Sequence, residues 1–182
     1  MNHVCPWWLG PVLASPLRKL WQDPRRILAP HVREGMTVLE PGPGMGFFTL
    51  ELARLVGPAG RVVAVDLQER MLAGLRRRAE RAGLQDRIEA RRASDEGMGI
   101  HDLAGRVDLV LAFAVVHELP DAGRFFAELQ PVLAPGGKVL VAEPRGHVAP
   151  EAFEATLGAA ERAGLRRAPG PQIAGSLTAL LG

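Results

Sequence analysis

The sequence predicts an α/β fold on a mostly parallel sheet, and three features of its 182 residues carry that prediction. From Met36 onward, short apolar runs alternate with segments of helical periodicity, the pattern of parallel strands joined by crossover helices. The run Val38-Leu39-Glu40 opens into Pro41-Gly42-Pro43-Gly44-Met45-Gly46, so a strand passes through a glycine turn into a helix. A second run, Arg61 to Asp66, ends in an acid 20 residues beyond Gly46, the spacing of a ribose-binding carboxylate in a βαβ unit.

Taken in order, the first ~35 residues form a helical appendage, rich in proline and holding all three tryptophans. Ser15-Pro16 and Asp23-Pro24 each set a capping side chain before a proline at the first helical position, which predicts two short helices. Strands are expected over 36–40, 61–66, 87–91, 107–113 and 138–143. Helices are expected over 47–56, 68–82, 122–133 and 150–163, where apolar residues recur at three and four and Gly57, Gly83, Gly164 or the Pro135-Gly136-Gly137 turn follows. Two weaker strands, 165–168 and 176–181, read as a closing hairpin. The division is therefore an N-terminal helical lid over residues 1–34 and one core domain over 35–182.

Composition narrows the class. With 47% hydrophobic and 23% charged residues the chain has no disorder signature. Net charge is +2 while the pI is near 9.3, and Lys19 and Lys138 are the only lysines. The densest basic segment, Arg70 to Arg92, interleaves Glu69, Glu80, Asp86 and Glu89 and has no aromatic residue to stack on a base. It reads as a solvated helix face and disfavours a nucleic-acid partner. A single cysteine, Cys5, excludes an intramolecular disulfide and a cysteine-based zinc site, so no metal is expected. The apolar stretch 4–17 lacks a basic leader and holds Pro6, Pro11 and Pro16, which fits neither a signal peptide nor a membrane span; the expected location is cytoplasmic.

The glycine turn sets the ligand class. Its glycines let a bound molecule lie against the main chain, and the unpaired N–H groups of the following helix face the same crevice. An acid at the end of the second strand accepts hydrogen bonds from both hydroxyls of a bare ribose and repels a 2′-phosphate. The dinucleotide fingerprint is G-x-G-x-x-G, whereas Glu40 to Gly46 reads E-x-G-x-G-x-G. This resembles the first motif of class I S-adenosylmethionine-dependent methyltransferases. The resemblance covers about residues 30–182 and implies a Rossmann-like seven-stranded sheet of order 3-2-1-4-5-7-6, its last strand antiparallel, with helices on both faces.

The same resemblance implies the cofactor, S-adenosylmethionine, and its contacts. Glu40, Gly42, Gly44 and Gly46 would hold the methionine portion, Asp66 the ribose, and Ser94 and Asp95 after the third strand the adenine amine, with Leu67 beside Asp66 also in the cofactor set. Ala112, at the end of the fourth strand, completes the cofactor set.

Catalytic candidates are His117, Glu143 and His147, which follow the fourth and fifth strands. An imidazole titrates near neutral pH, so His117 is either a general base for a hydroxyl or acidic carbon, or a structural or cofactor-contacting residue. Glu143 and His147 border the same region, and Arg145 either lines the acceptor site or braces the loop by pairing with Glu143. His117-Glu118 opens like a zinc-protease motif, but Asp121 stands where the second histidine belongs. The fourth-strand loop lacks the Asn/Asp-Pro-Pro-aromatic sequence of enzymes that methylate exocyclic nitrogens. Methyl transfer to a small-molecule acceptor by a monomer or homodimer is the expected function. The rivals are an RNA or protein methyltransferase, a non-catalytic binder of the cofactor and, disfavoured by the glycine spacing, a nicotinamide oxidoreductase. The tandem Trp7-Trp8 either closes over an apolar acceptor or packs on the core.

Overall fold

The computed structural model describes residues 22–94 and 96–182. Ser15-Pro16, the three tryptophans and Cys5 lie outside the described residues, as does Asp95. Seven strands, β1 (Thr37–Pro41), β2 (Arg61–Asp66), β3 (Ile88–Arg92), β4 (Val107–Phe113), β5 (Leu133–Pro144), β6 (Arg167–Pro169) and β7 (Ser176–Leu181), follow the order β3-β2-β1-β4-β5-β7-β6, as the resemblance implies. The chain divides into two compact units, one ending at Gly99 and the other running from Ile100 to Gly182.

In the first unit, α1 (Pro24–Leu28) starts as its sequence predicts: Asp23 accepts from the amides of Arg25 and Arg26, and Pro24 occupies the first turn. Leu28 is fully buried and Val32 nearly so, which ties this segment into the unit's core. Strands β1 (Thr37–Pro41), β2 (Arg61–Asp66) and β3 (Ile88–Arg92) pair in parallel, Glu40 opposite Ala64 and Asp66 opposite Arg92. Val62 to Val65 are buried on both faces, as a central parallel strand requires. Helix α2 (Thr49–Leu55) begins two residues after the expected start, because the glycine turn extends to Phe48. Helix α3 (Glu69–Arg81) buries Met71, Leu72, Leu75 and Ala79 along one face and leaves Arg76 and Arg77 exposed.

The second unit holds β4 (Val107–Phe113), α4 (Ala122–Leu129), β5 (Leu133–Pro144), α5 (Pro150–Arg162), β6 (Arg167–Pro169) and β7 (Ser176–Leu181). Strand β5 is parallel to β4 and antiparallel to β7, and β7 is antiparallel to β6. Two expectations need correction. The helix predicted to reach Leu133 ends at Leu129 and tightens into a 3-10 turn over Gln130–Val132, because Pro131 has no amide to continue it. Strand β5 begins at Leu133, not at Lys138, and absorbs Pro135-Gly136-Gly137. Its partner register jumps there, from Val107 opposite Leu133 to Leu109 opposite Lys138, so the predicted turn is an irregularity within the strand.

Candidate functional site

The residues expected to hold the cofactor cluster in the first unit around the carboxyl ends of β1 and β2. Gly42, Gly44 and Gly46 all have positive φ, at 67°, 55° and 84°. The amide of Gly42 donates to the Val65 carbonyl at 2.9 Å, which ties the turn to β2. A Cβ at Gly44 would meet no heavy atom of the described residues within 4 Å, which leaves that face of the turn room for a ligand. A Cβ at Gly46 would collide with Leu75 Cδ1, so this glycine serves packing against α3.

Helix α3 holds the turn in two further ways. Gly74 leaves room for the Met45 side chain, whose Sδ would lie 3.0 Å from a Cβ there. One turn on, the half-buried Arg78 donates from Nη1 to the Met45 carbonyl at 2.5 Å. Reading the basic segment as a solvated face therefore needs correction at Arg78. Other arginines of the segment are also engaged within the chain: Arg76 with Glu69 and the Ala90 carbonyl, Arg87 with the Ala53 carbonyl, Arg91 with Glu89.

Glu40 is the unusual group. It is buried within β1, and among the described residues its Oε2 has no hydrogen-bond partner, nor does the buried Oγ1 of Thr49. Burial is the main cause that pushes the Glu40 carboxyl up to about 8; the neighbouring Thr49 hydroxyl offsets part of it, and the negative charge of Asp66 adds to it. A buried acid with an orphaned oxygen, beside a second acid, suits a cationic ligand group. Asp66 closes an Asx turn by accepting from the Gln68 amide at 2.8 Å, and Leu67 beside it is 45% exposed, the one large apolar side chain so exposed among the described residues. Ser94 is exposed and pairs with Gly97 across a short turn, its hydroxyl accepting from the Glu96 amide. The donor set fits S-adenosylmethionine: acids for its cationic methionine end and ribose, open backbone at Gly44, and an apolar surface at Leu67 for a purine face.

The second unit brings the three catalytic candidates together. After β4 the chain turns sharply at Ala114, the one non-glycine residue with positive φ (53°) among those described. It then forms a 3-10 turn over Val116–Glu118. Glu143, buried in β5, clamps that turn: Oε1 accepts from the Val116 amide at 2.8 Å and Oε2 lies 2.5 Å from His117 Nδ1. Burial pushes the Glu143 carboxyl up, while the charge and hydrogen bond of His117 and the amides of Val116 and His117 pull it back. The His147 ring is exposed and centred 6.0 Å from that of His117, at 60° to it. Arg145 does not brace Glu143; its Nε donates to the Ser176 carbonyl and its amide to Gly175 on the β7 side. Ala112 is wholly buried within β4 opposite Val141. Among the described residues no three His, Cys, Asp or Glu side chains group to hold a metal ion, and no helix is long and apolar enough to cross a membrane.

A parallel sheet with one reversed strand, a glycine turn at the end of β1 and acids at the ends of β1 and β2 define a nucleotide-type binding fold. Comparison with known proteins identifies which one. The methyltransferase-domain family model matches residues 32–167, and the chain belongs to that family, with the class I S-adenosylmethionine-dependent fold. It is 33% identical over 135 residues to the ubiquinone/menaquinone biosynthesis C-methyltransferase UbiE of Hahella chejuensis, covering 74% of this chain and 53% of that one. The Escherichia coli protein of the same name is 32% identical over the same share. The chain thus spans about half the length of the curated relatives it matches. A SAM-dependent methyltransferase from Aquifex aeolicus superposes with a TM-score of 0.84 at 26% identity, over 98% of both chains. The [4+2]-cyclase SpnF shares the fold at a TM-score of 0.67 and 21% identity, over 79% of this chain and 57% of that one.

Proposed function

We propose that this chain transfers the methyl group of S-adenosylmethionine to a small-molecule acceptor. The observation that carries the reading is the buried Glu40 with its orphaned Oε2, set beside the open backbone of Gly44 and the acid Asp66. The bound cofactor would supply an already activated methyl group on its sulfonium. The chain's own part is then placement: Glu40 and the glycine turn fix the methionine end, Asp66 the ribose, and Leu67 one face of the purine. Holding an acceptor in line with the methyl supplies much of the rate in such a reaction.

The small-molecule acceptor is supported by the relatives named as C-methyltransferases of quinone biosynthesis. The internal engagement of the arginines around α3 weighs against an RNA acceptor. Cytoplasmic location and a monomer or homodimer complete the reading. Because the fold also serves a cyclase, turnover has to be measured. Labelled methyl from S-adenosylmethionine is incubated with the protein and a cell extract, and the extract is divided into small-solute, RNA and protein fractions. Label in the small solutes is the expected result. Label confined to macromolecules, or cofactor binding with no label, overturns it.

A further inference from the structure

The turn Pro43-Gly44-Met45-Gly46 is closed by the Gly46 amide, which donates to the Pro43 carbonyl at 2.9 Å. The peptide joining Met45 to Gly46 is planar and trans, so its carbonyl and its N–H point in opposite directions. Both ends of that peptide are held. Its amide lies on Pro43, and its carbonyl accepts from Arg78 Nη1 at 2.5 Å, a partner 33 residues away on α3. Flanking glycines of positive φ, 55° at Gly44 and 84° at Gly46, would otherwise let the peptide turn at little steric cost. The guanidinium therefore fixes the one plane on which the shape of the turn depends.

Arg78 does this under adverse conditions. It is half-buried, it sets a full charge on a neutral carbonyl, and burial together with the positive charge of Arg54 pushes its guanidinium down from the usual value. An apolar side chain of like length would fill the same place without that cost. Helix α3 grips Met45 a second time, because Gly74, one turn earlier, leaves the notch in which the Met45 side chain lies. The other half of the cradle is held independently: Asp66 is fixed by the pairing of β2 with Arg92 on β3 and by its bond to the Gln68 amide.

Resting on the methyl-transfer reading above, we infer that Arg78 is a positioning residue for the cofactor: through the Met45 carbonyl it sets the turn that receives the methionine end of S-adenosylmethionine, and it takes no part in binding the nucleoside end. Without that bond the Met45–Gly46 peptide is free to rotate, and the Gly46 amide loses its fixed direction toward Pro43. A ligand with an amino-acid end must then order the turn as it binds, and its affinity falls by that amount. A ligand that ends at the thioether makes no demand on the turn and is unaffected.

The test uses the full chain and two readouts, neither of which needs an acceptor. Arg78→Met keeps the apolar length and helix propensity of the side chain and removes the donor; Arg77→Met, on the exposed face of α3, is the matched control. Amide hydrogen exchange of the ligand-free protein reads the turn directly. The Gly46 amide should exchange about tenfold faster in Arg78→Met than in wild type or Arg77→Met, while the amides of β2 keep their rates. Calorimetric titration then compares S-adenosylhomocysteine, the cofactor without its methyl, with 5′-methylthioadenosine, which lacks the amino-acid end. Arg78→Met should bind the first about fivefold more weakly or worse and the second within about twofold of wild type. A brace that merely holds the fold together would weaken both ligands alike, and that result overturns the proposal, as does an unchanged Gly46 exchange rate or an unchanged affinity for S-adenosylhomocysteine. Wild-type protein that binds neither ligand refutes the cofactor reading itself, a different result from wild-type binding that survives in Arg78→Met.

Discussion

Glu40→Gln is expected to make the cofactor-free protein more stable while it removes cofactor binding. Burial raises the Glu40 carboxyl from 4.5 to about 8, so the folded protein keeps this proton over a range where the unfolded chain has lost it. Where the folded state binds more protons, stability falls as pH rises, by about 1.4 kcal/mol for each pH unit. Between pH 4.5 and 7 the loss amounts to about 3 kcal/mol, and it levels off near about 5 kcal/mol above pH 8. Glutamine keeps the shape of the protonated acid, and it does not titrate. For a chain of this size, about 3 kcal/mol corresponds to a rise in Tm of about 6–12 °C at pH 7. Thermal unfolding followed by circular dichroism at pH 5, 7 and 9, without cofactor, measures it. The two Tm values should lie close at pH 5 and diverge toward pH 9. A difference under about 2 °C at pH 9, or one that does not widen with pH, refutes the reasoning. Added S-adenosylmethionine should raise the wild-type Tm and leave that of Glu40→Gln unchanged.

Further outcomes follow from the same unit. Because free Glu40 is largely protonated at pH 7 and a cationic ligand favours its ionised form, cofactor binding should release a proton there and tighten from pH 6 to 8; calorimetry in buffers of different ionisation enthalpy reads both. Gly44→Ala has room in the free protein and should cost about 1–2 kcal/mol through its positive φ alone, yet weaken cofactor binding at least tenfold; Gly46→Ala, which meets Leu75, should lose more stability, as urea unfolding would show. Arg78→Ala frees the Met45 carbonyl and should lower cofactor affinity several-fold, whereas Arg77→Ala on the exposed face should leave it unchanged in the same titration.

The sequence reveals the parts of this protein that rest on local chemistry. The Asp23-Pro24 helix start is legible because a cap and its amides are neighbours, and the glycine turn because positive φ selects glycine. The full strand order came only with the resemblance, since alternation alone does not rank strands. Long-range partners were hidden. Pro135-Gly136-Gly137 looks like a turn in isolation, and only its pairing beside β4 makes it part of β5. Arg78 looks solvated until its acceptor, 33 residues away, is known. A signal was present nearby, because a glycine at position 74 inside an amphipathic helix points to close packing there. The His117–Glu143 bond had no such signal: both residues were candidates, and their pairing depends on the alignment of two strands.

Helix α3 begins just past Asp66 and meets the glycine turn at Gly74 and Arg78, so the register from 66 to 78 joins the two parts of the cofactor cradle. One inserted residue between Gln68 and Gly74 would rotate everything beyond it by about 100°, swinging Gly74 and Arg78 away from Met45. Length in this stretch is therefore constrained by the cradle, whereas the exposed Gln85 and Asp86 beyond the helix's far end belong to neither of its parts. In this protein the place to graft an insertion is behind the helix, and never within its first three turns.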